Sequence, residues 1–252
     1  MFATLRDAGF DVETRNHAEA ILSVDFPAET AELVAALADV RIPAAELVGS
    51  GGGEARSTQR LRRRLAQAGW VKHNYRIETT VDGRPLGDGM SHEIDHVRRG
   101  GGGTLALEIE WNNKDPFFDR DLESFQRLHA QSIIDVGIVV TRGAALQAAL
   151  VDTVATFLRA AGITEEAQLL AYGMKDRTAR QRETVARGMA GGLDFATAFA
   201  RPFVGDKFGQ ATTHWTKLID RISRGVGRPC PLLLIGLPAS AVSPYSAATD
   251  EL

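Results

Sequence analysis

The feature that most constrains the fold is the run Ile133–Thr141, which is apolar at nearly every position. A strand that is apolar on both faces belongs in a sheet that is covered on both sides. Helical periodicity precedes this strand at Phe117–Ala130 and follows it at Ala144–Ala161. The sequence therefore predicts an α/β fold, in which a central mixed β-sheet is flanked by helices.

Other elements are predicted on either side of this unit. Amphipathic helices are indicated at His17–Ser23, at Ala28–Ala38 and from about Glu54 to Ala68. Alternation with a period of two then predicts strands at Val71–Thr80, His92–Arg99 and Thr104–Asn112. The last third is more helical, from Thr178 to Ile222, and closes with a strand at Pro231–Gly236.

Composition excludes several classes of protein. The single cysteine, Cys230, rules out an internal disulfide and a cysteine-based zinc site. No apolar run approaches the roughly 20 residues that span a bilayer, and Met1–Phe10 lacks the apolar core of a signal peptide. These features predict a cytoplasmic protein. The net charge of −3 argues against a uniformly basic surface, but it is compatible with carboxylates gathered at one site.

The strand Thr104–Asn112 divides its side chains between two unlike faces, because successive side chains point to opposite sides. One face is wholly apolar, with Leu105, Leu107, Ile109 and Trp111, and the other carries Ala106, Glu108, Glu110 and Asn112. The two glutamates would lie roughly 7 Å apart, at ~3.3 Å per residue. Two like charges on a core strand are costly unless a cation compensates them. Alternation alone favours the other interpretation, a polar face turned to solvent.

A second strand supplies further acids. His92–Arg99 carries Glu93 and Asp95 on one face, and a hairpin turn at Gly100–Gly103 would bring Asp95 towards Glu108. Two carboxylates, a backbone carbonyl and waters are the ligands that Mg²⁺ prefers. Such an ion polarises a phosphate oxygen and activates a water for in-line attack. A neighbouring acid, here Glu110, could orient or deprotonate that water.

The pattern Asp95…Glu108-Ile109-Glu110 resembles the D…(D/E)-x-(K/E/Q) signature of PD-(D/E)xK nucleases. More specifically, the chain resembles the BglII family of restriction endonucleases, with BamHI as a further relative. The similarity covers about the first 145 residues and includes, besides the acidic strands, Asn16–Leu22, Trp70–Asn74 and Gly137–Gly143.

This resemblance implies a Mg²⁺-dependent endonuclease that hydrolyses phosphodiester bonds in double-stranded DNA. The family pattern assigns the metal to Asp95, Glu108 and the main-chain carbonyl of Ile109. Glu110 occupies a position that is usually lysine in the wider superfamily and matches the glutamate of BamHI-like enzymes. Some relatives place another acid one strand upstream, and Glu78 is the candidate in this chain.

Two basic segments are candidates for contacts with DNA. The helix from about Glu54 to Ala68 has five arginines without interleaved glutamates, and Arg56 and Arg60 lie near one side of it. This composition favours a phosphate-facing role over a solvated charged face. The second segment, Asn112-Asn113-Lys114, follows the acidic strand, so Lys114 could hold the phosphate near the scissile bond.

A third candidate segment is Gly205–Lys217, which is dense in hydrogen-bonding groups. Its candidates for contacts with base edges in the major groove are Lys207, Thr212, Thr213 and His214. The alternative for the two threonines is that one of them caps the helix that follows.

With the resemblance, the sequence predicts a homodimeric type II restriction endonuclease that cuts at a short palindromic site, because two-fold symmetric DNA is matched by a two-fold symmetric protein. The interface is expected at Phe117–Ala130 or Ala144–Ala161, and a cognate DNA methyltransferase is the expected partner in the system. We expect one domain over residues 1–252, with a catalytic core at about 54–162 and a helical, DNA-contacting C-terminal part at about 163–252. The alternatives are a repair or anti-phage nuclease that works with a partner protein, and a DNA-binding module that does not cut.

Overall fold

The computed structural model describes residues 1–50, 54–85, 89–114, 116–175 and 177–243. Its strands are β1 (Asp11–Arg15), β2 (Ile42–Pro43), β3 (Val71–Ile77), β4 (Thr80–Val81), β5 (Arg84–Pro85), β6 (Met90–Gly100), β7 (Gly103–Glu110), β8 (Val136–Arg142), β9 (Leu232–Leu237) and β10 (Val242–Ser243). Its α-helices are α1 (Ala3–Asp7), α2 (Ala18–Val24), α3 (Pro27–Ala38), α4 (Ala44–Val48), α5 (Arg56–Gln67), α6 (Phe117–Ala130), α7 (Ala144–Ala160), α8 (Ala179–Ala190), α9 (Phe195–Phe208) and α10 (Trp215–Ser223). None of the helices described is long and apolar enough to cross a membrane.

A six-stranded mixed sheet forms the centre of the molecule, in the order β1-β9-β8-β7-β6-β3. Strands β7, β8 and β9 are parallel, whereas β1, β6 and β3 run antiparallel to their neighbours. Strands β8 and β9 are buried at every residue, as a sheet covered on both faces requires. The predicted fold, a central mixed sheet flanked by helices, is confirmed.

Two apolar clusters cover the two faces of this sheet. On one face Leu105 and Leu107 of β7 pack with residues of α2, α3, α5, α7 and α9. On the other face Ala106 packs with residues of α6 and α10. Because side chains alternate along β7, Glu108 and Glu110 point to the side that α6 covers.

Strands β6 and β7 join through the glycine turn that was predicted at Gly100–Gly103. Close packing explains why glycine is needed here: a Cβ at Gly103 would collide with the carboxylate of Asp135, and one at Gly100 with that of Glu29. Gly103 also has φ of 141°, a conformation that L residues rarely adopt. The two ends of the turn are thus closely packed, whereas Gly101 and Gly102 are exposed.

The two ends of the chain meet in the sheet, which the sequence did not indicate for β1. This strand pairs antiparallel with β9, from Asp11 opposite Gly236 to Arg15 opposite Leu232. Its side chains are mostly half-buried and polar, so no apolar alternation marks it. Strand β9 lies between β1 and β8, and the C-terminal part of the chain therefore supplies an interior strand.

Candidate active site

A cleft opens beside α6 where β6 leaves β7. The ladder between the two strands extends from the glycine turn to the pair His96–Leu107. Beyond that pair lies a cavity of about 520 Å³. The residues that line it are Ser91, His92, Glu93, Asp95, Glu108, Ile109, Glu110, Asn113, Phe117, Arg120, Glu123, Ser124 and Arg127.

A β-bulge in β6 places Asp95 at this cleft. Strand β3 advances two residues, from Val71 to His73, while β6 advances three, from Val97 to Ile94. Asp95 and His96 therefore lie opposite the single residue Lys72, next to the end of the ladder with β7. Bulges re-aim side chains and end strand pairing, and they are common beside active sites.

The cleft brings together the carboxylates that the sequence singled out on β6 and β7. The backbone N–H of Asp95 donates to Oε1 of Glu108 at 3.4 Å, so the hairpin joins these two residues as predicted. Glu108 and Glu110 are only 4% and 3% exposed. The alternative interpretation of this strand face, a polar surface turned to solvent, is therefore wrong.

A further carboxylate, Asp121 of α6, was missed by the sequence analysis. It is 3% exposed, and its Oδ1 accepts hydrogen bonds from Nε and Nη2 of Arg120 at 2.9 and 2.8 Å. The sequence does contain a signal for it. Asp121 falls on the helix stripe formed by Phe118, Leu122 and Phe125, all of which are buried, and an acid at a core-facing position of a helix needs an explanation.

Burial makes these acids hard to ionise. It raises the pKa of Glu108 to about 9, with the nearby charges of Asp121 and Asp95 adding to the shift. Burial and the adjacent Asp121 likewise raise the pKa of Glu110 to about 9, and burial raises the pKa of Asp121. Desolvation and like charge both disfavour the ionised form of a carboxyl group. A bound cation would reverse both effects.

Two basic side chains approach the cluster from its open side. Nη2 of Arg120 lies 3.9 Å from Oε1 of Glu110, and Nζ of Lys72 lies 4.0 Å from Oδ1 of Asp95 and 2.6 Å from Oε1 of Glu93. Both basic side chains are about half exposed, so water screens their charge. They offset the buried negative charge only in part.

The donor set of the cleft suits a hard divalent cation. Asp95, Glu108 and Ile109 line the cleft, and carboxylate and carbonyl oxygen atoms are the ligands that Mg²⁺ prefers. Within the described ranges, no three or more His, Cys, Asp and Glu side chains are arranged to hold a metal by themselves. A cation bound here would therefore need backbone oxygen atoms or waters as ligands besides the carboxylates.

Residues 111–114, which we call the exit segment, follow β7 and hold Glu110 in place. Nδ2 of Asn113 donates to Oε2 of Glu110 at 2.6 Å. The N–H of Asn113 donates to Oγ1 of Thr213 at 3.0 Å, and the N–H of Thr213 donates to the carbonyl of Asn113 at 2.8 Å. Lys114 forms an isolated bridge with Thr212 and has an exposed side chain. Of the residues predicted to contact DNA here, Asn113 thus lines the cleft, and Lys114 follows it in the chain with an exposed side chain.

The structure contradicts the predicted base contacts of Thr212, Thr213 and His214, which are 5%, 0% and 3% exposed. A hydroxyl without solvent access cannot reach a base edge. Oγ1 of Thr212 accepts from Arg142 at 2.7 Å and donates to the carbonyl of Gly209 at 2.8 Å. Neither threonine caps α10, whose N-cap residue is His214, so the capping alternative is wrong as well. The hydroxyls join chain segments instead.

The arginine-rich helix α5 lies on the other face of the sheet. Its buried residues Leu61 and Leu65 belong to the cluster that faces away from the acidic cleft. Arg60 makes a bidentate ion pair with Glu46 at 2.6 and 3.0 Å, whereas Arg56 is exposed. The structure therefore does not bring these two arginines to the cleft, and it gives Arg60 a structural partner.

Two more predicted site residues lie elsewhere. Nζ of Lys207 donates to the carbonyls of Leu47 and Gly49, and burial lowers its pKa to about 8. Its predicted contact with DNA is corrected to a structural role, because its ammonium is turned into the protein. Glu78 is exposed and pairs with Arg76 at 2.7 Å, outside the cleft, so it does not supply the upstream acid.

A family model described as restriction endonuclease BglII/BglIII matches residues 10–237. The match extends from β1 to β9 and so includes the whole central sheet and both acidic strands. A search of curated proteins finds no match.

Proposed function

The chain belongs to the BglII/BglIII family of restriction endonucleases, and we propose that it cuts double-stranded DNA at a short palindromic site in a reaction that depends on Mg²⁺. Membership makes it a type II restriction endonuclease, a site-specific deoxyribonuclease that hydrolyses phosphodiester bonds. The observation that carries the proposal is the meeting of Asp95 and Glu108 where the β6–β7 hairpin opens into the cleft.

Asp95, Glu108 and the carbonyl of Ile109 are the proposed metal ligands. Mg²⁺ bound there would polarise a phosphate oxygen and lower the pKa of a water. The raised pKa values of Glu108 and Glu110 support this assignment. Buried carboxyl groups that resist ionisation alone become carboxylates when a cation compensates their charge.

Glu110 is the proposed group that orients the attacking water and removes its proton. Asn113 holds its Oε2 by a hydrogen bond, and Nη2 of Arg120 lies 3.9 Å from its Oε1. The deprotonated oxygen forms a bond to phosphorus as the bond to the leaving sugar oxygen breaks. The departing oxygen then takes a proton from solvent, which completes the hydrolysis.

Of the residues predicted to contact DNA, Asn113 and Lys114 are the ones that we keep as candidates next to the proposed metal ligands. Asn113 lines the cleft, and the exposed ammonium of Lys114 follows it at the end of the exit segment. A lysine in this place would neutralise a phosphate next to the cutting site. Asn112 has a different role, since its Oδ1 accepts from Arg142.

We also propose that the enzyme acts as a homodimer. Of the two predicted interface helices, α7 packs against both α4 and α9, whereas α6 packs against α10 and leaves Gln126 exposed. Helix α6 is therefore the better candidate for the interface. The cognate methyltransferase and the cytoplasmic location stay predictions.

Plasmid cleavage tests the function. Plasmid DNA is incubated with the purified protein alone, with Mg²⁺ or with EDTA. Discrete fragments with Mg²⁺ and intact DNA with EDTA are expected, and sequencing of the fragment ends then gives the site. A smear would contradict a specific site, cleavage that needed a second protein would favour the partner-dependent alternative, and no cleavage with any divalent metal would exclude the enzymatic function.

A further inference from the structure

Arg142, the last residue of β8, is a buried cation without an acidic partner in the described part of the chain. Its side chain is 0% exposed, and burial lowers its pKa to about 9. The buried ammonium of Lys207 is close enough for the two positive charges to repel each other. An unpaired guanidinium inside a protein is costly, so its hydrogen bonds must offset that cost.

The donors of this guanidinium converge on two segments that meet beside the cleft. Nη1 donates to Oδ1 of Asn112 at 3.1 Å, in the exit segment. Nη2 donates to Oγ1 of Thr212 and to the carbonyl of Thr213, both at 2.7 Å. Its Cζ lies 5.8 Å and 5.0 Å from the ring centroids of Trp111 and Phe208, within the range of a cation–π contact.

The same two segments hold Glu110. Thr213 and Asn113 exchange hydrogen bonds, and Asn113 donates to the carboxylate of Glu110. Thr141, which precedes Arg142, donates from Oγ1 to the carbonyl of Glu110 at 2.7 Å. A continuous chain of hydrogen bonds therefore leads from the guanidinium through Thr213 and Asn113 to Glu110.

We propose that Arg142 is a positioning residue for DNA cleavage: it clamps the exit segment to residues 212–213 and so keeps Asn113 against Glu110. The proposal rests on the role proposed for Glu110. A planar guanidinium holds its donors in a fixed geometry, whereas the donors of a lysine ammonium rotate, so an arginine is suited to hold three acceptors on two segments in fixed positions. A role in stability alone would not require these acceptors to flank the reacting group.

The test compares Arg142→Met with the matched control Arg177→Met. Arg177 is also an arginine with a buried side chain that stacks on a ring, that of Phe199 at 4.8 Å, but it pairs with Glu166 far from the exit segment in sequence. Two quantities are measured well below the melting temperature of each variant. They are the hydrogen-exchange rate of the Asn113 amide by NMR and the single-turnover cleavage rate at saturating protein.

For Arg142→Met we expect faster amide exchange at Asn113 and cleavage slower by roughly 10- to 100-fold. This is the range for residues that orient the groups of a site through hydrogen bonds. DNA affinity should stay the same. Arg177→Met should change neither quantity. If Arg142→Met does not fold, Thr212→Val removes one acceptor of the guanidinium at nearly constant shape, and it should slow cleavage and speed exchange to a smaller extent.

Wild-type exchange and cleavage in Arg142→Met, or in Thr212→Val if the first variant does not fold, would overturn the proposal. Equal slowing in Arg177→Met would overturn it too, because general destabilisation would then explain the effect. A wild-type protein that cuts no DNA would contradict the proposed function instead. The exchange rate at Asn113 would still decide whether Arg142 forms the clamp.

Discussion

Asp95 and Glu108 lie on two strands of one hairpin and differ in how far their side chains are exposed in the cleft. The side chain of Asp95 is 39% exposed and lies near Lys72, whereas Glu108 is buried. The open side of the cleft can therefore admit a phosphate next to Asp95, while Glu108 anchors the site from inside. Both residues supply charge to the same proposed ion, so losing either should be severe.

Asp95→Asn and Glu108→Gln should each lower the cleavage rate by more than roughly 100-fold. Substitution of a residue that only hydrogen-bonds to a metal ligand already costs about 10- to 100-fold in activity. DNA binding measured without metal should be unchanged or tighter, because each variant removes negative charge near the phosphates. Plasmid cleavage and gel-shift titration measure the two effects. Glu78→Gln is the control and should cut normally, and wild-type cleavage in either ligand variant would refute the metal assignment.

The raised pKa of Glu108 predicts how stability depends on pH without metal. The pKa is about 9 in the folded protein, against an ordinary value of 4.5, so the folded state binds an extra proton between these values. The stabilising contribution is complete below about pH 4.5 and is lost as the pH rises towards 9. The melting temperature in EDTA should therefore fall across this range, and less steeply in Glu108→Gln.

The effect of Mg²⁺ on the melting temperature is the complementary measurement for this pH dependence. An ion that binds the carboxylate form stabilises the folded state more where protons compete less, so Mg²⁺ should raise the melting temperature more at pH 8 than at pH 5.5. An identical pH profile in the wild type and in Glu108→Gln would show that Glu108 does not have the raised pKa.

At the scale of elements, the helices and strands that carry the site were predictable where their apolar residues recur with a regular period. Helix α6 begins and ends at the predicted residues Phe117 and Ala130, and the alternation in β7 gave the correct facing of its glutamates. The bulge at Asp95 and His96 and the edge strand β1 were not predictable, because strand irregularities and edge pairing depend on tertiary contacts. The same reason applies to Thr213, which is buried and whose carbonyl accepts from a buried arginine 71 positions away in sequence.

Lys207 of α9 and Lys114 of the exit segment are expected to have different roles, the first in stability and the second in DNA binding. Lys207→Met should lower the free energy of unfolding by about 1–3 kcal/mol, because the carbonyls of Leu47 and Gly49 lose their donor, and DNA affinity should not change. Lys114→Ala should weaken binding and reduce the salt slope by about 1, with stability unchanged. Denaturant unfolding and binding at several salt concentrations separate the two, and reduced affinity in a fully stable Lys207→Met would restore its predicted contact with DNA.

For the whole molecule, the acidic cleft explains how a chain with net charge −3 can act on DNA. Its carboxylates gather beneath one opening, where Asp95, Glu108, Glu110 and Asp121 lie together. Phosphates would be repelled there until a cation compensates the charge. Binding of the proposed metal ion would thus couple the approach of DNA to the ionisation of the site, which the total charge does not reveal.

A duplex has two strands to cut, whereas the described part of the chain forms one such cleft, so two copies should act together on a symmetric site. Mixing the wild type with an equal amount of Glu108→Gln tests this dimer. Mixed dimers carry one working cleft and should cut one strand, so nicked plasmid should accumulate beyond what either protein yields alone. Monomers that act independently would give no excess of nicked plasmid, since each wild-type chain would still cut both strands in successive encounters. Sedimentation of the protein on a DNA fragment that contains the site should then show two chains per duplex.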